Sequence, residues 1–189
     1  STFDPHISTS SNDIRISFNI FDNLVSRHPD GKLHPGLATE WKLQSPTQWT
    51  FRIRQGVKWH NGDPFTAADA KWSLERTWDP AHKTRVSTVF TSIDRIEALD
   101  AGTLVIHTKK PDPLLPARLA FYGGQIVSRR YFEQVGADGF RSKPMGTGPV
   151  RFVSWTKDDK VVMDANPDYW GGKIDADRVI FRSVPEMAP

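Results

Sequence analysis

Trp49, Phe51 and Ile53 alternate with Thr50, Arg52 and Arg54. That period of two sends apolar and polar side chains to opposite faces, the pattern of a half-buried strand. After the Asn61-Gly62-Asp63-Pro64 loop, Thr66-Ala-Ala-Asp69 has the spacing of a capping box and opens a helix running to about Trp78. With Gly36 to Trp41 upstream, the stretch reads as a compact β unit feeding a capped helix. Trp72, Leu74 and Trp78 are the expected inner surface of that helix, and Asp79-Pro80 ends it, because proline disfavours helical geometry in the residue before it.

The rest of the chain keeps alternating. Ile14, Phe18, Phe21 and Val25 recur at helical spacing and predict a helix over 12–25, capped by Ser11 or Asn12. Asp30-Gly31 predicts a turn between strands at 24–28 and 32–34. A short helix is expected before Phe90, then strands at 93–99 and 104–108 around the Asp100–Thr103 turn. Residues 113–119 read as helix and 125–127 as extended chain, and Ser128 caps a second short helix to Val135. Residues 136–148 form a glycine-rich connection; 150–155 and 160–165 suit a hairpin around Lys157-Asp158-Asp159, followed by a strand at 179–184. So many hairpins exclude a purely parallel sheet, which needs crossover helices throughout. The fold class is mixed α/β, of α+β character: a mixed sheet with hairpins and flanking helices.

Composition narrows the function classes. Hydrophobic residues at 38% and charged residues at 25% belong to a folded chain rather than a disordered one, and seven tryptophans with eleven phenylalanines supply its core. The absence of cysteine excludes disulfides, thiolate metal sites and cysteine nucleophiles. A formal net charge of +3 with no long basic run gives little support to a nucleic-acid partner. No apolar run reaches the roughly 20 residues that span a bilayer, and the start of the chain has no signal-peptide pattern. That start fits either a cytoplasmic protein or a chain trimmed past its export signal.

The local constellations have ordinary readings. His60 and Asp63 flank turn chemistry, and the imidazole is expected to pack or bond locally. The six histidines show no i, i+4 pair and no His-Glu-x-x-His spacing, so a protein-built metal site is not expected. Gly146-Thr-Gly148 lacks the remainder of a phosphate loop and reads as a tight turn entering the strand at Val150. No Gly-x-Ser-x-Gly elbow is present to support serine hydrolysis. Asp158 and Asp159 suit a solvated hairpin tip, and Arg129-Arg130 an exposed helix start. Arg52, Arg54 and Lys58 beside Trp49, Phe51 and Trp59 suggest a nucleic-acid platform only superficially, since strand alternation separates rings from cations.

Two blocks in the same order carry a resemblance. They are Trp49 to Asp69, with Gly36-Leu-Ala-Thr-Glu-Trp41 before it, and Gly146-Thr-Gly-Pro-Val-Arg-Phe-Val-Ser-Trp155 with Asn166-Pro-Asp-Tyr-Trp-Gly-Gly172. Together with Phe3-Asp-Pro-His6 and Asn19 to Val25, they resemble the family 5 extracellular solute-binding proteins, the dipeptide, oligopeptide and nickel-type receptors of bacterial ABC importers. The resemblance implies a type II periplasmic binding protein fold, of which this chain holds part of the first lobe. Residues 20–145 would form the variable sub-domain, and 1–19 with 146–189 strands and loops of the adjoining one. The family's first strand and second lobe would be missing, making the chain a fragment expected to bind its ligand weakly or not at all by itself.

The resemblance also implies function. The expected role is capture of a small peptide or related solute outside the cytoplasmic membrane, by hinge closure, and its delivery to the ABC permease subunits, with no cofactor, no catalysis and no nucleic acid. A nickel chelate, an opine or an oligosaccharide is the alternative ligand within the family, and a peptide-acting hydrolase the alternative from another class. Ligand contacts would come from three segments: Ser8 to Ser11, chiefly Ser8, Thr9 and Ser10; Arg85 to Phe90; and Phe121 to Gly124, chiefly Tyr122 and Gly123. Hydroxyls and backbone groups of the first would bond peptide-like or polyol groups, Arg85 would pair a carboxylate, and Phe90 or Tyr122 would wall the cavity.

Overall fold

The computed structural model describes residues 2–8 and 10–184. It opens with α1 (Ser11–Ile20), followed by the hairpin of β1 (Val25–Arg27) and β2 (Leu33–Pro35). Next come β3 (Ala38–Ser45), β4 (Gln48–Ile53) and α2 (Ala67–Arg76), a 3-10 turn at Pro80–His82, then β5 (Ile93–Asp100) and β6 (Thr103–Thr108). Two helices follow, α3 (Leu115–Leu119) and α4 (Arg129–Ser142), and the chain closes with β7 (Val150–Thr156), β8 (Lys160–Ala165) and β9 (Arg178–Arg182).

The alternation at Trp49 forms the strand it predicts. Phe51 and Ile53 are buried on one face of β4 and Arg52 is exposed on the other. Phe51 pairs with Trp41 on one side and Leu104 on the other, making β4 an inner strand of the antiparallel sheet β3-β4-β6-β5. The apolar face packs against α2 through Ala67, Ala70 and Leu74, which belong to the same cluster as Phe51, Ile53, Leu104 and Ile106. The Asp69 carboxylate accepts from the Thr66 N–H at 3.0 Å and its hydroxyl at 3.2 Å, satisfying a donor that a helix start otherwise leaves free. Every strand pairing among the described residues is antiparallel, a narrower result than the mixed sheet expected from sequence.

Two apolar clusters share the molecule. The first runs from Leu24 to Met145 and fills the space between the four-stranded sheet, α2 and α3. The second joins both ends of the chain, with Phe3, Ile16, Ile20 and Phe21 meeting Val150, Val161 and Met163, and takes in Val127 and Phe140 from the middle. Leu74 lies in the first cluster as expected, whereas Trp72 is half-buried against the second.

Three expectations need correction. The first helix ends at Ile20, and its buried side chains are Asp13, Ile16, Ser17 and Ile20; Phe18 is 39% exposed. Phe21 is already extended (φ −113°, ψ 142°), so its burial and that of Val25 belong to the chain after the helix. Ser10, not Ser11 or Asn12, occupies the cap position. Residues 136–148 are not all connection, although the helix after Ser128 leaves helical geometry at Gly136 as expected. It breaks there (φ 70°, ψ 175°), on conformational ground that glycine alone visits readily, and resumes to Ser142, because Phe140 buries its ring in the second cluster.

Candidate functional site

Asp4, Pro5 and His6 begin a turn in which the Asp4 carbonyl accepts from the N–H groups of Ile7 and Ser8. The Asp4 side chain is fully buried and takes both Arg76 terminal nitrogens, at 3.0 and 2.5 Å. Arg76 is 2% exposed and lies over the Phe132 ring at 4.5 Å. The His6 ring bridges outward from this pair. Its Nε2–H donates to the Gln125 carbonyl at 2.8 Å and its Nδ1 accepts from Arg76 at 2.9 Å, partners that fix the neutral tautomer. Arg76 holds the Asp4 carboxyl below its usual range against the opposing effect of burial.

Around this turn the three segments with candidate ligand contacts meet. The Arg85 N–H donates to the His6 carbonyl at 2.8 Å. The Tyr122 hydroxyl donates to the Ser8 carbonyl, tying residues 114 apart in sequence. The Gly123 N–H donates to Gln125 Oε1 at 3.0 Å, and the Gly123 backbone rests against Val86. From below, the Asn23 amide donates to the carbonyls of Leu119 and Phe121 at 2.8 and 3.0 Å. Burial raises the Tyr122 phenol, and the Arg85 charge opposes that rise.

Ser8, Arg85, Tyr122 and Gly123 thus come together, with Arg85 exposed, Tyr122 half-buried and Ser10 exposed two residues beyond Ser8. The Ser8 hydroxyl is buried and committed to Asp13 at 3.2 Å, and its N–H and carbonyl are taken by Asp4 and Tyr122, so this residue shapes the surface rather than offering groups to it. Phe90 is 1% exposed in the first cluster and does not reach this surface. Thr9 lies outside the described residues. Phe121, which opens the third segment, is 60% exposed beside Tyr122. Arg76 was missed: it sits one turn beyond Trp72 at the helix end, where a basic residue ordinarily faces solvent.

Other candidates fall elsewhere. His60 bonds far from its own turn: Nε2–H donates to the Gly148 carbonyl at 3.0 Å, and Nδ1 accepts from the Gly146 N–H at 3.3 Å. Its expected local bonding is corrected; the ring braces the tight turn before β7. A cavity of about 200 Å³ lies among Phe18, Phe21, Asp22, Arg27 and Trp170, and a groove of about 460 Å³ among His60, Tyr131, Lys143, Arg151 and Asp164. Among the described residues, no group of three His, Asp or Glu side chains is placed to hold a metal ion, and no helix is long and apolar enough to cross a membrane.

The two buried imidazoles make stability depend on pH. Burial pushes both His6 and His60 down to about 4, helped at His6 by Arg76 against Asp4 and at His60 by Arg151. Between pH 4 and 6.5 the unfolded chain therefore binds more protons, so stability is full above 6.5 and is lost as pH falls toward 4. Each histidine contributes on the order of 3 kcal/mol across that window. Asp22 and Asp69, whose carboxyls burial raises, act against the trend. The urea midpoint is expected to drop clearly between pH 7.5 and 5; a flat midpoint would show the rings are not held neutral.

The chain resembles known proteins along nearly its whole length. Residues 32–188 match the model of bacterial extracellular solute-binding proteins, family 5 Middle. Di/tripeptide-binding protein 2 of Pseudomonas aeruginosa (strain UCBPP-PA14) is 33% identical over 203 residues, covering 95% of this chain and 38% of the relative. Among solved structures, MoaA in complex with mannopinic acid, from A. tumefacien R10, superposes with a TM-score of 0.91 at 31% identity, covering 97% of this chain and 38% of its own. The periplasmic binding protein DppA from Helicobacter pylori, in complex with peptide STSA, gives 0.89 at 31% identity, covering 98% and 41%. The chain thus spans about two fifths of the length of these proteins.

Proposed function

The chain belongs to the bacterial extracellular solute-binding proteins of family 5, and from that membership we propose that it helps capture a small peptide outside the cytoplasmic membrane for an ABC permease. It does so without catalysis, in the periplasm or at the outer face of the membrane. The observation that carries the reading is the convergence of the Ser8–Ser10 loop, Arg85 and the Tyr122–Gly123 loop on one surface. Exposed Arg85 pairs the ligand's carboxylate, the Ser10 hydroxyl meets its peptide units, and Tyr122 with Phe121 forms an aromatic wall. Residues 20–145 form one sub-domain, and 1–19 with 146–189 contribute to the other. An opine is the second reading, favoured by the relative solved with mannopinic acid and by the same cation.

Titration of the isotope-labelled chain with tri-alanine, followed by amide NMR, tests this because it reads weak binding. Shifts are expected at Ser8, Ser10, Arg85, Tyr122 and Gly123. Arg85→Ala is expected to weaken binding by about 10–100-fold, the worth of a charged hydrogen bond, and capping the peptide as its carboxamide should do the same. Shifts confined to the groove at His60, or none at saturating peptide, sink the proposal; peptide cleavage would revive the hydrolase.

A further inference from the structure

We propose that Arg76 is a positioning residue for this surface: through Asp4 and His6 it holds the three ligand-contacting segments in register, so that contacts made by one depend on the other two. The inference rests on the binding role proposed above and adds a residue that touches no ligand. Each link is a hydrogen bond. Arg76 grips Asp4, whose backbone carbonyl sets the turn leading into Ser8. Arg76 also orients His6, whose backbone carbonyl takes the Arg85 N–H and whose ring reaches the Gln125 carbonyl. Gln125 in turn takes the Gly123 N–H on its side-chain oxygen. One buried guanidinium therefore reaches Ser8, Arg85 and Gly123 through no more than two intermediates.

Stability alone does not account for such a core. A buried ion pair is commonly matched or bettered by apolar side chains of similar volume, and its best-attested use is to fix register. Here the cation is enclosed by the Phe132 and Phe140 rings, at 4.5 and 6.0 Å, where an apolar side chain would pack equally well. What an apolar pair would lose is direction. The His6 ring would have no donor at Nδ1, and the turn from residue 4 to Ser8 would have no polar tether to the helix.

The test is the double variant Asp4→Leu with Arg76→Met, with Asp4→Asn and Arg76→Gln as a second pair in case the first does not fold. Amide hydrogen exchange of the chain is read without ligand. Protection of the Arg85 and Gly123 amides is expected to fall by about tenfold or more while amides of β4 and α2 keep theirs, which separates loosened loops from global destabilisation. Affinity for tri-alanine is expected to fall about tenfold, within the usual range of coupling between sites. Unchanged protection at Arg85 and Gly123, or lost protection with unchanged tri-alanine affinity, overturns the proposal. Should the unmodified chain show no tri-alanine shifts while the exchange result holds, the binding role fails and the coupling of the three segments stands.

Discussion

Replacing Gly146 by alanine is expected to abolish folding of the chain. A Cβ there would lie 2.1 Å from the Ile20 carbonyl oxygen, 2.8 Å from its carbon and 2.9 Å from the Phe21 ring. Those first two are backbone atoms at the end of α1, and they cannot swing away as a side-chain tip can. Gly148 is as tight, with Asn19 and Ile20 backbone atoms at 2.6 and 2.7 Å, and its N–H donates to Ile20 at 2.9 Å. The contact joins the helix end to the strand that opens the carboxy-terminal sheet, and His60 is hydrogen-bonded to both glycines. Moving the chains apart by a methyl group would break these bonds together and open the second cluster, a loss on the scale of the roughly 5–15 kcal/mol that holds a whole domain. Circular dichroism and a urea titration of Gly146→Ala check this, and a native-like midpoint would mean the two backbones are less closely apposed.

The single substitution Arg76→Met is expected to cost about 3–5 kcal/mol, the range found when one partner of a buried ion pair is removed. The Asp4 carboxylate would remain without its cation in a site 0% exposed, and must either protonate or draw in water. Adding Asp4→Leu to the same chain is expected to recover most of the loss, since the stranded charge is then gone. Urea denaturation of the single and double variants measures both steps. Equal destabilisation by the two would show that the cost lies in packing against Phe132 rather than in the stranded charge.

Local chemistry was legible in the sequence wherever neighbouring residues decide the outcome. The alternation at Trp49, the Thr66–Asp69 box, the Ser128 cap and the turns at Asp30-Gly31 and Asp100–Thr103 all act within a few residues, and each formed as expected. Contacts between distant segments were not legible. Ile14 and Phe18 fit a helix face as well as Ile16 and Ile20 do, and only the approach of Gly146 and Gly148 decides which turns inward. Gly136 reads as a stop because its cost is local, whereas the burial of Phe140 that offsets it is not. Asp22 is a further case: its carboxylate accepts from Thr147 and Trp170 at 2.8 Å each, more than a hundred residues away. For the candidate site, the family resemblance named the segments, Phe121 among them, and the geometry moved Phe90 from the cavity wall to the core.

The second apolar cluster has a consequence in time. The cluster of Phe3, Ile16 and Ile20 is completed only by Val150, Val161 and Met163. A ribosome adding about 5–20 residues per second needs on the order of ten seconds to make the intervening chain. Throughout that delay the first helix carries an apolar stripe without its carboxy-terminal cover, a surface for chaperones or for other nascent chains. The yield of correctly folded protein will therefore follow the pace of synthesis and the holdases at hand, and raising the stability of the finished fold will do little to change it.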